Sequence, residues 1–166
     1  MRRKRNGQRV TQSRNEHLDR VQMEEILSDI QSHERVQEMK QYIQHGRITT
    51  YEHCDRVAHL SYRINQKLHL HANDRELLTA AMLHDFYLYD WHNYDDNAHP
   101  WHGYHHADKA VENARLHFHI NPRVEKAIWS HMWPLNITRV PRTREAWILC
   151  LADKIVSVKE TLTERK

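Results

Sequence analysis

An apolar helical run that ends on an adjacent imidazole and carboxylate constrains this chain more than any other feature. Within Leu77–Trp91, LLTAAMLHDFYLYDW, the residues Leu77, Ala81 and His84 recur at i, i+4 and i+7. Leu78 and Asp85 share the neighbouring row, so both polar groups ride the core-facing side. Burying an ionised Asp beside a His is costly unless a positive charge compensates it, and a metal ion does this best. A helix end with a capping His and a solvated Asp would also explain the dipeptide by itself. The rest of the chain decides between them.

Only 3 Gly and 4 Pro occur in 166 residues, and strand-like alternation is rare, so the composition suits helices. The length suits one domain with a sizeable core. Histidine is over-represented, at 16 residues, which points to metal binding where the spacing is that of ligands rather than of a tract. The net charge of +3 is uneven: residues 1–14 hold six of the 25 basic residues and no acid, leaving 19 basic against 22 acidic beyond them. The organisation expected is a basic, solvated arm over 1–14 and a helical domain over 15–166. The arm reads as a tail rather than as a nucleic-acid contact. No apolar segment follows MRRKR and no run approaches membrane-spanning length. Cys54 and Cys150 are too few for a disulfide framework, so free thiols in a reduced, cytoplasmic protein are expected.

Read in order, Val21–Ile30 predicts a short amphipathic helix, and Glu34–His45 a second one stopped by Gly46. Thr49 with Glu52 forms a capping box for a helix carrying His53, Val57, Leu60, Ile64 and Leu68 on one stripe. Asn73 with Glu76 starts the helix that delivers His84 and Asp85. Residues 86–100 are aromatic and acidic without a helical period, and are expected to fold as a loop across the mouth of a site. His102, His106 and Ala110 recur at i+4 on the next helix. Asn121-Pro122 opens another, whose stripe of Val124, Ala127 and Ile128 ends at His131. Thr143 opens the last, with Ala146, Leu149, Cys150, Asp153 and Val156 on one face. No strand pair is expected. The fold class is an all-α, compact single-domain bundle of six or seven helices.

The inward polar residues, His53, His84, Asp85, His102, His131 and Asp153, provide four imidazoles and two carboxylates. That mixed N/O set suits Mn, Fe, Co, Ni or Zn. Two metals sharing Asp85 would use all of them. His53…His84-Asp85…Asp153 resembles the H…HD…D signature of the HD superfamily of metal-dependent phosphohydrolases, an all-α fold. TTYEHCDRVAHLS resembles the first-ligand helix, AAMLHDF the central motif and WILCLADKI the closing Asp helix. The likeness extends over roughly residues 35–160. HPWHGYHHADKA and IWSHMWPL resemble the extra histidine pair of the binuclear branch, which includes dinucleotide polyphosphate hydrolases. HDF, LYDWH, HG, HMWPL and LADK are similar to a group of short bacterial HD proteins.

This resemblance implies that His53, His84, Asp85 and Asp153 hold one divalent ion, and Asp85, His102 and His131 a second, with Fe or Mn favoured. His106 is a further candidate, as a ligand or as a group contacting substrate. Hydrolysis of a phosphate ester or anhydride, on a nucleotide-type small molecule, would proceed by a hydroxide held between the ions. One departure stands out. Many HD proteins follow the dipeptide with Gly-Lys, whereas here Phe86-Tyr87-Leu88-Tyr89 follows. Arg56 and Lys154 are the nearest candidates for holding phosphate instead. A mononuclear nucleotidase, a di-iron oxygenase and a non-catalytic nucleotide-sensing domain remain open on the same scaffold, and the oligomeric state is open as well.

Overall fold

The computed structural model describes residues 20–90 and 102–164, the side chains of 102–104 and 164 excepted. The basic arm expected over 1–14 lies outside the described residues, as does 91–101 of the aromatic and acidic segment. Helix α1 (residues 20–31) buries Met23, Ile26, Leu27 and Ile30, the stripe its sequence sets up. Helix α2 (Glu34–Glu38) is capped by His33, whose ring nitrogen accepts from the Arg35 N–H, and passes into a single 3-10 turn, Met39–Gln41.

The helix expected to run on to His45 stops there. Ile43–His45 (β1) pairs instead with Ile48–Thr49 (β2) in an antiparallel hairpin, so the expectation of no strand pair is corrected. Gly46, at φ 58°, opens the two-residue turn. A hairpin this tight needs positive φ at its first turn position, which only glycine takes without steric cost. The Gly read as a helix stop is a turn residue, and the strand alternation it permits sends Gln44 inward while Ile43 and His45 stay half-buried.

Thr49 then caps helix α3 (Thr50–Lys67). Its hydroxyl accepts from the Glu52 N–H while the Glu52 carboxylate accepts from the Thr49 N–H, completing the expected box. Asn73 caps α4 (Asp74–Leu83) in the same manner, its side chain accepting from the Glu76 N–H. Helix α5 covers His102–Phe118, α6 Pro122–Ser130 behind an Asn121 cap, and α7 Arg144–Glu164 behind Thr143. Apart from the hairpin the architecture is all-α, with seven α-helices among the described residues. None of them is long and apolar enough to cross a membrane.

One core joins these helices. Cys54, Val57 and Ala58 of α3 meet Leu78, Ala81 and Met82 of α4, and α6 and α7 add Ala127, Ile128, Leu149 and Ala152. The many alanines let helix backbones approach closely, which shortens the reach of polar side chains at the helix ends. Phe86 and Tyr87 do not lie over a site mouth as expected. Both are buried, Phe86 edge-on to Phe118, and Asn113 donates to the carbonyls of both. Phe86 gains from desolvation in the core, whereas the Tyr87 hydroxyl bonds Gln44 and Thr50 beside the site. Cys54 and Cys150 are free and buried, with different neighbours: Cys54 Sγ faces His84 Nδ1 at 3.6 Å, and Cys150 donates to the Trp133 carbonyl.

Candidate metal centre

Helix ends from four parts of the chain converge at one end of the bundle. His53 lies in the first turn of α3, His84 and His131 are the C-terminal caps of α4 and α6, and Asp85 follows His84 directly. His106 comes from the start of α5 and Asp153 from the middle of α7. All six side chains are buried.

Asp85 sits at the centre. Its Oδ2 lies 3.4 Å from His84 Nε2 and 3.9 Å from His53 Nε2, while Asp153 Oδ1 lies 3.3 Å from His53 Nε2 and 3.8 Å from His84 Nε2. On the opposite side Asp85 Oδ1 is 3.2 Å from His106 Nε2 and 3.6 Å from His131 Nε2, and those two nitrogens are 3.0 Å apart. The second set of groups thus contains His106 beside His131. The side chain of His102 lies outside the described residues.

The far sides of the rings are held as metal ligands require. His84 Nδ1 bonds the Ala81 carbonyl at 2.7 Å and His131 Nδ1 the Ile128 carbonyl at 2.6 Å. A carbonyl only accepts, so each proton sits on Nδ1 and each Nε2 lone pair is turned to the centre. His53 Nδ1 bonds Glu160 Oε2 at 2.8 Å, and Arg56 donates to the other oxygen of Glu160 at 3.0 Å. Meanwhile His53 Nε2, His84 Nε2 and Asp85 Oδ1 are buried without a hydrogen-bond partner. Orphaned buried polar atoms are rare, and two imidazole nitrogens on one side of Asp85 with a carboxylate oxygen on the other fit cation binding there. His53, His84 and Asp153 form one compact ligand-type group, and His84, Asp85 and His131 another.

Electrostatics agree with this geometry. Burial opposes ionisation of Asp85, but His84, His106 and His131 outweigh it and hold the carboxyl well below its usual range. Asp153 is lowered in the same way against its burial, by His53, His84 and His131. Burial, with the neighbouring His84 and His106 rings, pushes His131 down to about 3. His53 is opposite: burial resists its protonation, but the Asp153 and Glu160 carboxylates beside it prevail and push it up to about 10. A cation binding there displaces that proton, so affinity rises with pH.

Three residues of the surroundings were not expected from the sequence. Gln44 donates to Asp85 Oδ2 at 2.7 Å and accepts from Tyr87 OH, fixing the central carboxylate from the hairpin side. His45 stacks edge-on to His53 with ring centres 5.6 Å apart. Glu160 lies seven residues after Asp153 on the same buried face, and that spacing was the available signal. The centre opens into a cavity of about 700 Å³ lined by Gln44, His45, Asp85, His106, His131, Met132, Leu135, Asp153 and Lys154, among others. Lys154 donates to the His131 carbonyl at 2.9 Å on this wall. Arg56 does not line it. Its bond to Glu160 places it behind His53, in a separate groove between α3 and α7.

Glu160→Ala should weaken metal binding by about 10- to 100-fold, because it removes the carboxylate that orients His53 and raises its basicity. A competitive titration against a chromogenic chelator reads this. Unchanged affinity would mean that His53 does not ligate through Nε2.

Comparison with known proteins gives one result. The family model of the HD domain matches residues 50–157. That span begins at the first residue of α3 and ends in α7, and it contains every converging residue except those of the hairpin and Glu160. No curated protein and no solved structure matches. With well over half of its length matched, and with a histidine, the His-Asp pair and the closing Asp of the motif brought together in space, this chain belongs to the HD domain family.

Proposed function

We propose that the protein is a metal-dependent phosphohydrolase with a binuclear centre, acting on a nucleotide-type phosphate ester or anhydride. The observation that carries this reading is the placement of imidazole nitrogens on both sides of the buried Asp85 carboxylate. His53, His84, Asp153 and Asp85 Oδ2 would hold one ion, and Asp85 Oδ1, His106 and His131 the other. A pair of divalent ions supplies an activated water near neutral pH and neutralises non-bridging phosphate oxygens. Fe or Mn suits this N/O set, with Zn, Co and Ni also compatible.

The chain's own residues supply the rest. Gln44 holds Asp85 in one rotamer, so both carboxylate oxygens keep their directions. Lys154, anchored by the His131 carbonyl on the cavity wall, brings a positive charge toward the phosphate that Gly-Lys would serve in other HD proteins. Arg56 supports the ligand His53 through Glu160 rather than meeting substrate.

A mononuclear reading has one observation in its favour. His106 Nε2 and His131 Nε2 are within hydrogen-bond distance of each other, an arrangement that satisfies both rings without a second ion. Metal analysis of purified protein, joined to phosphate release from nucleotides, dinucleotide polyphosphates and sugar phosphates, separates the readings. Two equivalents of metal with turnover on one of these classes is the expected result. Metal-loaded protein that releases phosphate from none of them would instead indicate a sensing domain.

A further inference from the structure

Helix α7 carries a second apolar face that no other element packs against among the described residues. Trp147, Leu151, Ile155, Val158 and Leu162 are each between 45% and 62% exposed. At about 100° per residue these five fall within an arc of roughly 80°. The arc lies opposite the face on which Leu149, Ala152, Asp153, Val156 and Glu160 are buried. Trp133 extends the surface at one end, edge-on to Trp147 with ring centres 5.2 Å apart. Scattered exposed apolar residues are ordinary, but five in one row along one helix are a contact surface.

The order of the row identifies what covers it. Counted from Ile155, the others stand at −8, −4, +3 and +7, so the row reads almost the same in both directions. An antiparallel copy therefore sets Trp147 against Leu162, Leu151 against Val158 and Ile155 against its own twin. A two-fold interface needs such self-complementarity, and a foreign partner does not. Residues 1–19 of this chain are poor candidates, since they hold six basic residues and little apolar content, while Lys154 and Lys159 flank the row. At about 200 Å² for each large side chain when fully exposed, half exposure leaves on the order of 500 Å² per copy. Two copies then bury up to about 1,000 Å² from the row alone, the lower bound for a biological interface, to which flanking residues add.

We propose that α7 pairs with α7 of a second copy about a two-fold axis at Ile155, making the protein a homodimer. Lys154 lines the candidate metal cavity and borders the row, so the interface runs beside the site. The proposal is independent of the hydrolase reading.

Sedimentation velocity of the full chain at micromolar concentration tests it. The expected mass is twice the 20.2 kDa of one chain. Ile155→Glu should give a monomer with unchanged helicity by circular dichroism, because the side chain it replaces is half exposed and outside the core. Ile155→Cys should form a reducible dimer in high yield under mild oxidation. Val158→Cys should not, because its twin would lie about 10 Å away along the antiparallel pair. A monomeric wild type, a dimer that survives Ile155→Glu, or equal cross-linking at 155 and 158 would each overturn the proposal.

Discussion

Asp85→Ala should abolish metal binding at both positions and lower turnover by at least about 1,000-fold, the largest effect expected of any single change. Both oxygens of Asp85 face imidazole nitrogens. His84 and His53 face Oδ2, while His106 and His131 face Oδ1. Removing it leaves only Asp153 to offset two divalent charges in a buried site, and desolvation then opposes occupancy of either position. The fold should survive, because His53 keeps its Asp153 and Glu160 partners and the apolar core is untouched. Asp85→Asn separates charge from shape, since it keeps the volume against Gln44 yet should lose metal equally. Elemental analysis beside circular dichroism reads both variants. Retained metal with turnover within tenfold of wild type would remove Asp85 from the centre.

His106→Ala and His131→Ala should each lose about one metal equivalent and retain the ion held by His53, His84 and Asp153. Turnover should fall by about 100-fold or more in both, because one ion cannot both activate water and clamp the phosphate equally well. The two imidazoles meet the same Asp85 oxygen within 3.2 and 3.6 Å, so their losses should resemble each other. His102→Ala belongs in the same experiment, since the family likeness implied His102 as the partner of His131. A metal deficit in His106→Ala but not in His102→Ala assigns the second position to the described geometry. If the pair contacts substrate instead, all three variants keep wild-type metal content and mainly raise KM. That outcome would sink the binuclear reading and leave the mononuclear one standing.

The dipeptide His84-Asp85, the capping box at Thr49 and the polar interruption Asp153 were all legible in the sequence. Each depends on local periodicity: a stripe of apolar residues states which helix face is buried, and a polar residue on that stripe states that it needs a partner. The all-α class followed from the same signal, reinforced by the scarcity of Gly and Pro. Except over Ile43–His45, where a helical pattern gave way to a strand, the local reading and the fold agree.

What periodicity leaves open is how far along its axis each helix sits against its neighbours. His102 and His106 share a face at i+4, so the pattern treats them alike, and the packing of α5 brings His106 up to Asp85. Arg56 follows His53 by one turn and could be read as facing substrate. The approach of α7 instead inserts Glu160 between them, bonded to both. Gln44 shows the limit most clearly. Its segment continues a helical pattern, yet Gly46 permits a tight turn and the strand pairing that follows carries Gln44 to a carboxylate 41 residues away. Sequence alone determined which side chains must be buried and what charge they bring, because that is set within one turn or one helix. Only the tertiary structure decided which of them meet, because contacts between distant segments depend on the summed packing of all the helices at once.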